Sequence, residues 1–256
     1  MEPALLQSIL IAASIGIASG TVGTFIILER MALTGDALAH VALPGIALAL
    51  AYGFDPFWGV IAFLLCAAFL MWWLKAKTSL PADALVGILF TTSLAVGILT
   101  IPDHEMMESL FGAFPALSPT ALAAIVIWSA FITFVIFKFA KRFLFMILSP
   151  EVAKVHGIGS YYELLLLLIF AVVVSLGIKL VGTLLMGALT IIPALVARNL
   201  ARSMRGYLVF SACLGGMISV AGVILAGRFH FLPGPTIVLF GVGCFIVSLL
   251  FSKKNS

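Results

Sequence analysis

The chain has 256 residues, 63% of them hydrophobic, and a mean hydropathy of +1.28. Soluble domains hold roughly 45–50% apolar residues, so these figures exclude an ordinary globular protein and indicate an all-α, polytopic membrane protein. The net charge of +4 reads as a record of membrane orientation rather than of an anionic partner, and no nucleic acid is expected.

Cutting the sequence at polar clusters and Gly/Pro punctuation leaves apolar blocks of about twenty residues, the length of a membrane-crossing helix. They run from Pro3 to Leu28, Thr34 to Gly53, Phe57 to Leu74, Ala82 to Ile101 and Pro119 to Ala140. Four more follow, from Tyr161 to Gly177, Leu180 to Ala197, Gly206 to Ala226 and Pro235 to Phe251. The count is about eight to nine transmembrane helices, because the hydrophobic signal barely falls at Gly177-Ile178-Lys179. No gap is long enough for a soluble domain, so residues 1–256 form a single transmembrane unit. Met1 to Gly20 lacks the basic start and small-residue cleavage site of a secretory signal and is expected to be a retained first span. Gly16-x-x-x-Gly20, with Gly215, Gly216, Ser219 and Gly222 later, suits close helix approach in lipid.

Near the start of the second block stands Gly35-Asp36-Ala37-Leu38-Ala39-His40-Val41-Ala42-Leu43-Pro44-Gly45. Residues four apart on an α-helix share a face, about 6 Å apart along the axis, so Asp36 and His40 can grip one object. Alternatively, Asp36 caps the helix and His40 is a packed core residue. A polar ring inside an apolar span is costly without a partner or a watery path. Pro44 offers no N–H to the His40 carbonyl and is expected to kink the helix. Imidazole with carboxylate suits zinc, manganese or ferrous iron. Two ligands do not complete a coordination shell; His104 and Glu105, with Glu108, at the far end of the fourth block are further candidates, and His230 is a weaker one.

His104-Glu105-Met106-Met107-Glu108 approaches the H-E-x-x-H pattern of helical zinc proteases but lacks the second histidine. The three cysteines, Cys66, Cys213 and Cys244, sit within apolar blocks and suggest neither a disulfide nor a thiolate metal site.

Between the fifth and sixth blocks, Ser149-Pro150-Glu151 has the character of a helix start, and Gly157 with Gly159 that of a stop. The short helix they bound carries Val152, Val155 and Ile158, apolar surface that suits docking of another protein. Next comes Gly182 to Pro193, GTLLMGALTIIP, whose Pro193 is expected to kink its helix and whose glycines leave room for a close neighbour or a pathway. Its Gly182 to Gly187 spacing matches the start of a nucleotide-binding phosphate loop but continues Ala188-Leu189, so the chain is not expected to hydrolyse ATP. With the N-terminus outside, twelve of the 14 Lys and Arg residues fall on the cytoplasmic side and only Lys179 and Arg228 outside. This bias favours a cytoplasmic C-terminus.

In this order, GDALAHVALPGIALAL, ADALVGILF, SLFGAF, SPEVAKVHGI and VGTLLMGALTIIPALVARNLA make the chain resemble the metal-permease family of ABC transporters over nearly its whole length. The resemblance implies a permease bundle like that of the vitamin B12 importer (type II), working as a homodimer in the bacterial inner membrane. It implies two partners, a cytoplasmic ATP-binding subunit and an extracytoplasmic metal-binding protein. It implies no permanent cofactor, only a transported zinc, manganese or iron ion. Pathway-ligand roles pass to Asp36 and His40, and the ATPase-coupling role to Glu151, Val152, Val155 and Gly157. Two departures stand out: Ala113 where the family often has a polar residue, and Phe231-Leu232 where it often has an acidic one. The alternative is an ion-coupled secondary metal transporter acting without an ATPase, since intramembrane Asp and His also serve proton relays.

Overall fold

A computed structural model describes residues 3–78, 82–101, 107, 109–112, 117–156 and 159–251. Ten helices are defined among them: α1 (Pro3–Leu28), α2 (Ala32–Tyr52), α3 (Pro56–Lys77), α4 (Ala82–Thr100), α5 (Pro119–Leu148), α6 (Pro150–Val155), α7 (Ser160–Val181), α8 (Thr183–Leu200), α9 (Met204–Phe229) and α10 (Pro233–Leu249). Six of them (α1, α2, α3, α5, α7 and α9) are long and apolar enough to cross a membrane, and shorter apolar helices lie in α4, α8 and α10. Helices dominate for a physical reason: in hydrocarbon no water is available to the backbone, and a helix satisfies its N–H and C=O groups internally.

Three helices begin as their sequences dictate. Phe57 N–H donates to Asp55 Oδ1 at 2.9 Å, Ala121 N–H to Ser118 Oγ at 3.3 Å, and Gly206 N–H to Ser203 Oγ at 3.1 Å. Pro56 and Pro119 occupy first-turn positions, where the missing N–H costs nothing. Asp55 is therefore a helix cap, exposed at the start of α3.

The centre of the bundle is built from α1, α2 and α7, whose faces are mostly buried. Close backbone approach replaces large side chains there. A methyl group on Gly16 or Gly20 would overlap the Gly215 or Ser211 carbonyl of α9, and Ser211 Oγ donates to Gly20 O at 2.5 Å. On the periphery, α5 presents Trp128, Phe131 and Phe134 outward, an apolar surface suited to lipid.

Two boundaries differ from expectation. The break between the sixth and seventh spans falls at Gly182, not at Gly177-Ile178-Lys179. Lys179 occupies the last turn of α7, where a cation complements the helix dipole, so its charge marks a helix end and not a loop. The fifth helix runs to Leu148, past the expected end at Ala140. Lys138 lies 5.9 Å and Arg142 5.3 Å from the Phe139 ring centre, contacts that seat the basic residues on the helix instead of ending it.

Candidate functional site

The second helix starts at Ala32, after Arg30 has turned the chain with a φ of 61°. Met31 is the N-cap residue and makes no side-chain cap. Asp36 is thus the fifth residue of α2, inside its second turn, and does not cap it. It is half-buried. His40 lies one turn on and is 2% exposed.

Each of these side chains meets a neighbour that sequence spacing did not disclose. The His40 ring stands edge-on to Phe90 of α4, centroids 4.8 Å apart and planes at 77°. Its Nδ1 is buried with no hydrogen-bond partner among the described residues. An unmade hydrogen bond of this kind costs roughly 1–3 kcal/mol, so the nitrogen is held with its lone pair or proton uncommitted to the protein.

Beside Asp36 the backbone of α8 closes in. A methyl on Gly187 would lie 3.0 Å from Asp36 Cα and N and 3.3 Å from its Cβ. The small face foreseen in GTLLMGALTIIP therefore serves the Asp36 segment of α2, bringing together the two intramembrane motifs. Gly35 is fitted in the same way, 3.2 Å from Phe170 Cζ of α7 for an added methyl.

Both prolines sit inside unbroken helices: α2 runs through Pro44 and α8 through Pro193. The adjoining Gly45 has a packing role, since a methyl there would come within 2.5 Å of Gly59 O in α3. His104, Glu105, Glu108 and Gly157 lie outside the described residues. Among the described residues no group of three or more His, Cys, Asp or Glu side chains could hold a metal. Asp36 and His40 thus stand as a pair, and His230 is exposed, closing α9 with a φ of 55°. Two cavities of about 200 and 320 Å³ at the C-terminal end of α7 share Lys179, and their linings include neither Asp36 nor His40.

At the opposite end of α7, α6 continues α5 with only Ser149 between them. Ala153 N–H donates to Ser149 O at 2.8 Å, closing the first turn, and Glu151 lies in that turn. Ala153 is fully buried, while Val152 and Val155 are 48% and 85% exposed. The helix is anchored on one side and offers apolar surface on the other.

Comparison with known proteins places the chain in a family. Residues 1–252 match the profile of the ABC 3 transport family. The manganese import system permease protein ScaB of Streptococcus gordonii is 33% identical over 98% of this chain and 92% of its own length. The high-affinity zinc uptake system membrane protein ZnuB of Haemophilus influenzae is 30% identical over 96% of this chain and 95% of its own. The solved structure of PsaBC from Streptococcus pneumoniae in complex with Fab superposes with a TM-score of 0.86 at 33% identity, covering 98% of this chain and 93% of that one.

Proposed function

The chain belongs to the ABC 3 transport family, and from that premise we propose that Asp36 and His40 line the path of the metal it carries. Permease subunits of manganese and zinc ABC importers are its relatives, and this chain is such a subunit, a multi-pass protein of a bacterial membrane. Its cargo is a divalent transition metal from the set manganese, zinc and iron.

The observation that carries the pathway reading is the unpartnered Nδ1 of His40 one helical turn from the Asp36 carboxyl group. A carboxylate oxygen and a neutral imidazole nitrogen are ligands that suit these metals. Gly187 leaves the Asp36 side of α2 close to α8, and Phe90 covers the imidazole, so an ion there is screened from lipid. In the type II dimer, a second copy adds ligands across the twofold axis, as a two-ligand site requires. His104 and Glu105 are further candidate ligands for the ion that the extracytoplasmic metal-binding protein delivers. The exposed Val152 and Val155 of α6 dock the ATP-binding subunit, Glu151 and Gly157 share that coupling role, and the C-terminus faces the cytoplasm.

Uptake of radioactive manganese and zinc by cells expressing the full transporter tests the pathway. His40→Ala is expected to lower uptake at least about tenfold at unchanged membrane abundance, the scale of a perturbed metal site; full uptake removes His40 from the path. Val155→Asp is expected to abolish co-purification with the ATP-binding subunit. Metal movement with no ATPase partner would restore the secondary-transporter alternative, which the family match does not favour.

A further inference from the structure

A cavity of about 510 Å³ opens where α1 ends, α8 ends and α9 begins. Arg30, Arg198 and Arg202 line it, and none of the three makes an ion pair or a side-chain hydrogen bond among the described residues. The carboxylate next in sequence, Glu29, is 3.7 Å from Lys75 and so already has a cationic partner. Tyr207 also lines the cavity; it is 6% exposed, and its buried hydroxyl has no hydrogen-bond partner among the described residues. The N-terminus of α9 meets the same space through Ser203 and Met204, adding the positive end of a 26-residue helix.

Three uncompensated guanidinium groups, a phenol hydroxyl and a helix N-terminus form a site for an oxyanion, because each supplies N–H or O–H donors and four of the five add positive charge. The remaining wall is apolar, contributed by Ile27, Leu28 and Ala201. A soluble anion gains nothing from such a wall, whereas a phospholipid at the membrane boundary presents a phosphate above a glycerol and acyl chain. Basic pockets between spans at a cytoplasmic surface suit that headgroup. We propose that this cavity is a binding site for the phosphate of an anionic phospholipid, bound from the leaflet at the α6 end of the molecule. The proposal rests on the chain being membrane-embedded and is independent of the metal pathway.

Native mass spectrometry of the delipidated full chain, alone and with its ATP-binding subunit, tests this with dioleoyl phosphatidylglycerol, dioleoyl phosphatidylcholine and inorganic phosphate as probes. Phosphatidylglycerol is expected to bind roughly tenfold tighter than phosphatidylcholine. The double variant Arg198→Gln/Arg202→Gln is expected to weaken its binding roughly twenty-five-fold, from about a fivefold loss per arginine. Tyr207→Phe keeps the shape of the cavity and is expected to cost roughly fivefold, which separates loss of the site from loss of the fold. Equal binding of the two lipids, or unchanged binding by the variants, overturns the proposal. Inorganic phosphate binding as tightly as phosphatidylglycerol reassigns the site to a soluble anion. Displacement of the lipid by the ATP-binding subunit, with the arginine variants losing that subunit instead, makes the cavity a protein contact and likewise overturns it.

Discussion

The two ends of the bundle are joined by different chemistry. At the end where α7 gives way to α8, backbone meets backbone. A methyl on Gly182, φ 83°, would overlap the Leu110 carbonyl and come within 2.6 Å of Gly112 N. Gly112, φ 74°, is fitted as tightly against Leu180 and Gly182, and a methyl on Gly234 would overlap the Val181 and Phe111 carbonyls. Three glycines thus bring the 109–112 segment, the α7–α8 break and the start of α10 into direct main-chain contact. At the α6 end, side chains make the joins. Lys75 of α3 pairs with Glu29, just beyond α1, and with Glu163 of α7. Trp72 Nε1 donates to Ser160 O at 2.8 Å, and Arg142 Nη1 donates to the Tyr162 hydroxyl at 2.6 Å. Main-chain packing tolerates almost no substitution and ignores pH. Side-chain joins can be loosened and remade, which suits the end where the ATP-binding subunit is proposed to dock.

Three experiments would break or sharpen this contrast. Gly182→Ala is expected to have the largest effect. A positive φ costs an L-residue about 1–2 kcal/mol, and overpacking against main chain adds about 1–3 kcal/mol. A loss of about 3 kcal/mol or more should appear as a lower thermal midpoint in detergent, and a variant as stable as the parent would refute the main-chain junction. Lys75→Ala comes second. It leaves the half-buried carboxylates of Glu29 and Glu163 without their shared cation, at a cost of about 2 kcal/mol, between the values for exposed and buried pairs; unchanged stability would reduce the triad to a surface decoration.

The smallest effect is the pH response of Glu29. Burial pushes its carboxyl group above the usual carboxylate range, with Lys75 opposing and Glu163 reinforcing the shift. A raised pKa means that the folded state holds this proton more tightly. The stability it contributes is complete below the unfolded value near 4.3 and is lost as pH rises through the higher folded value. Glu29→Gln, which imitates the protonated form, should therefore equal or exceed the parent at pH 7 by under about 1 kcal/mol. The difference should close as the pH falls toward 4. Greater instability of the variant at pH 7 would contradict this sign.

The helical content, the approximate spans and the glycine-rich faces that pack closely were legible because hydropathy and glycine spacing report them directly; that the faces of α1 and α9 meet each other was not. The Asp36 and His40 pair was legible because polar groups inside an apolar run are rare. Their surroundings were not. Phe90 is one aromatic among 21 phenylalanines, and nothing local reveals that α4 lays it against the imidazole. The α7–α8 break was misplaced because charge at Lys179 was a louder signal than the conformational freedom of Gly182. Capping by Asp36 failed because α2 begins four residues earlier, at Ala32, without any side-chain cap to announce it. Gly45 belongs less to a break at Pro44 than to Gly59, fourteen positions away, a pairing that only tertiary structure supplies.

The length of α5 has a mechanical consequence. Its 30 residues make a rod of about 45 Å, against a hydrocarbon core of about 30 Å, so roughly three turns stand clear of the oily layer. Ser149 is the sole joint between that rod and α6. The two helices are thus coupled in position, with no slack loop in between.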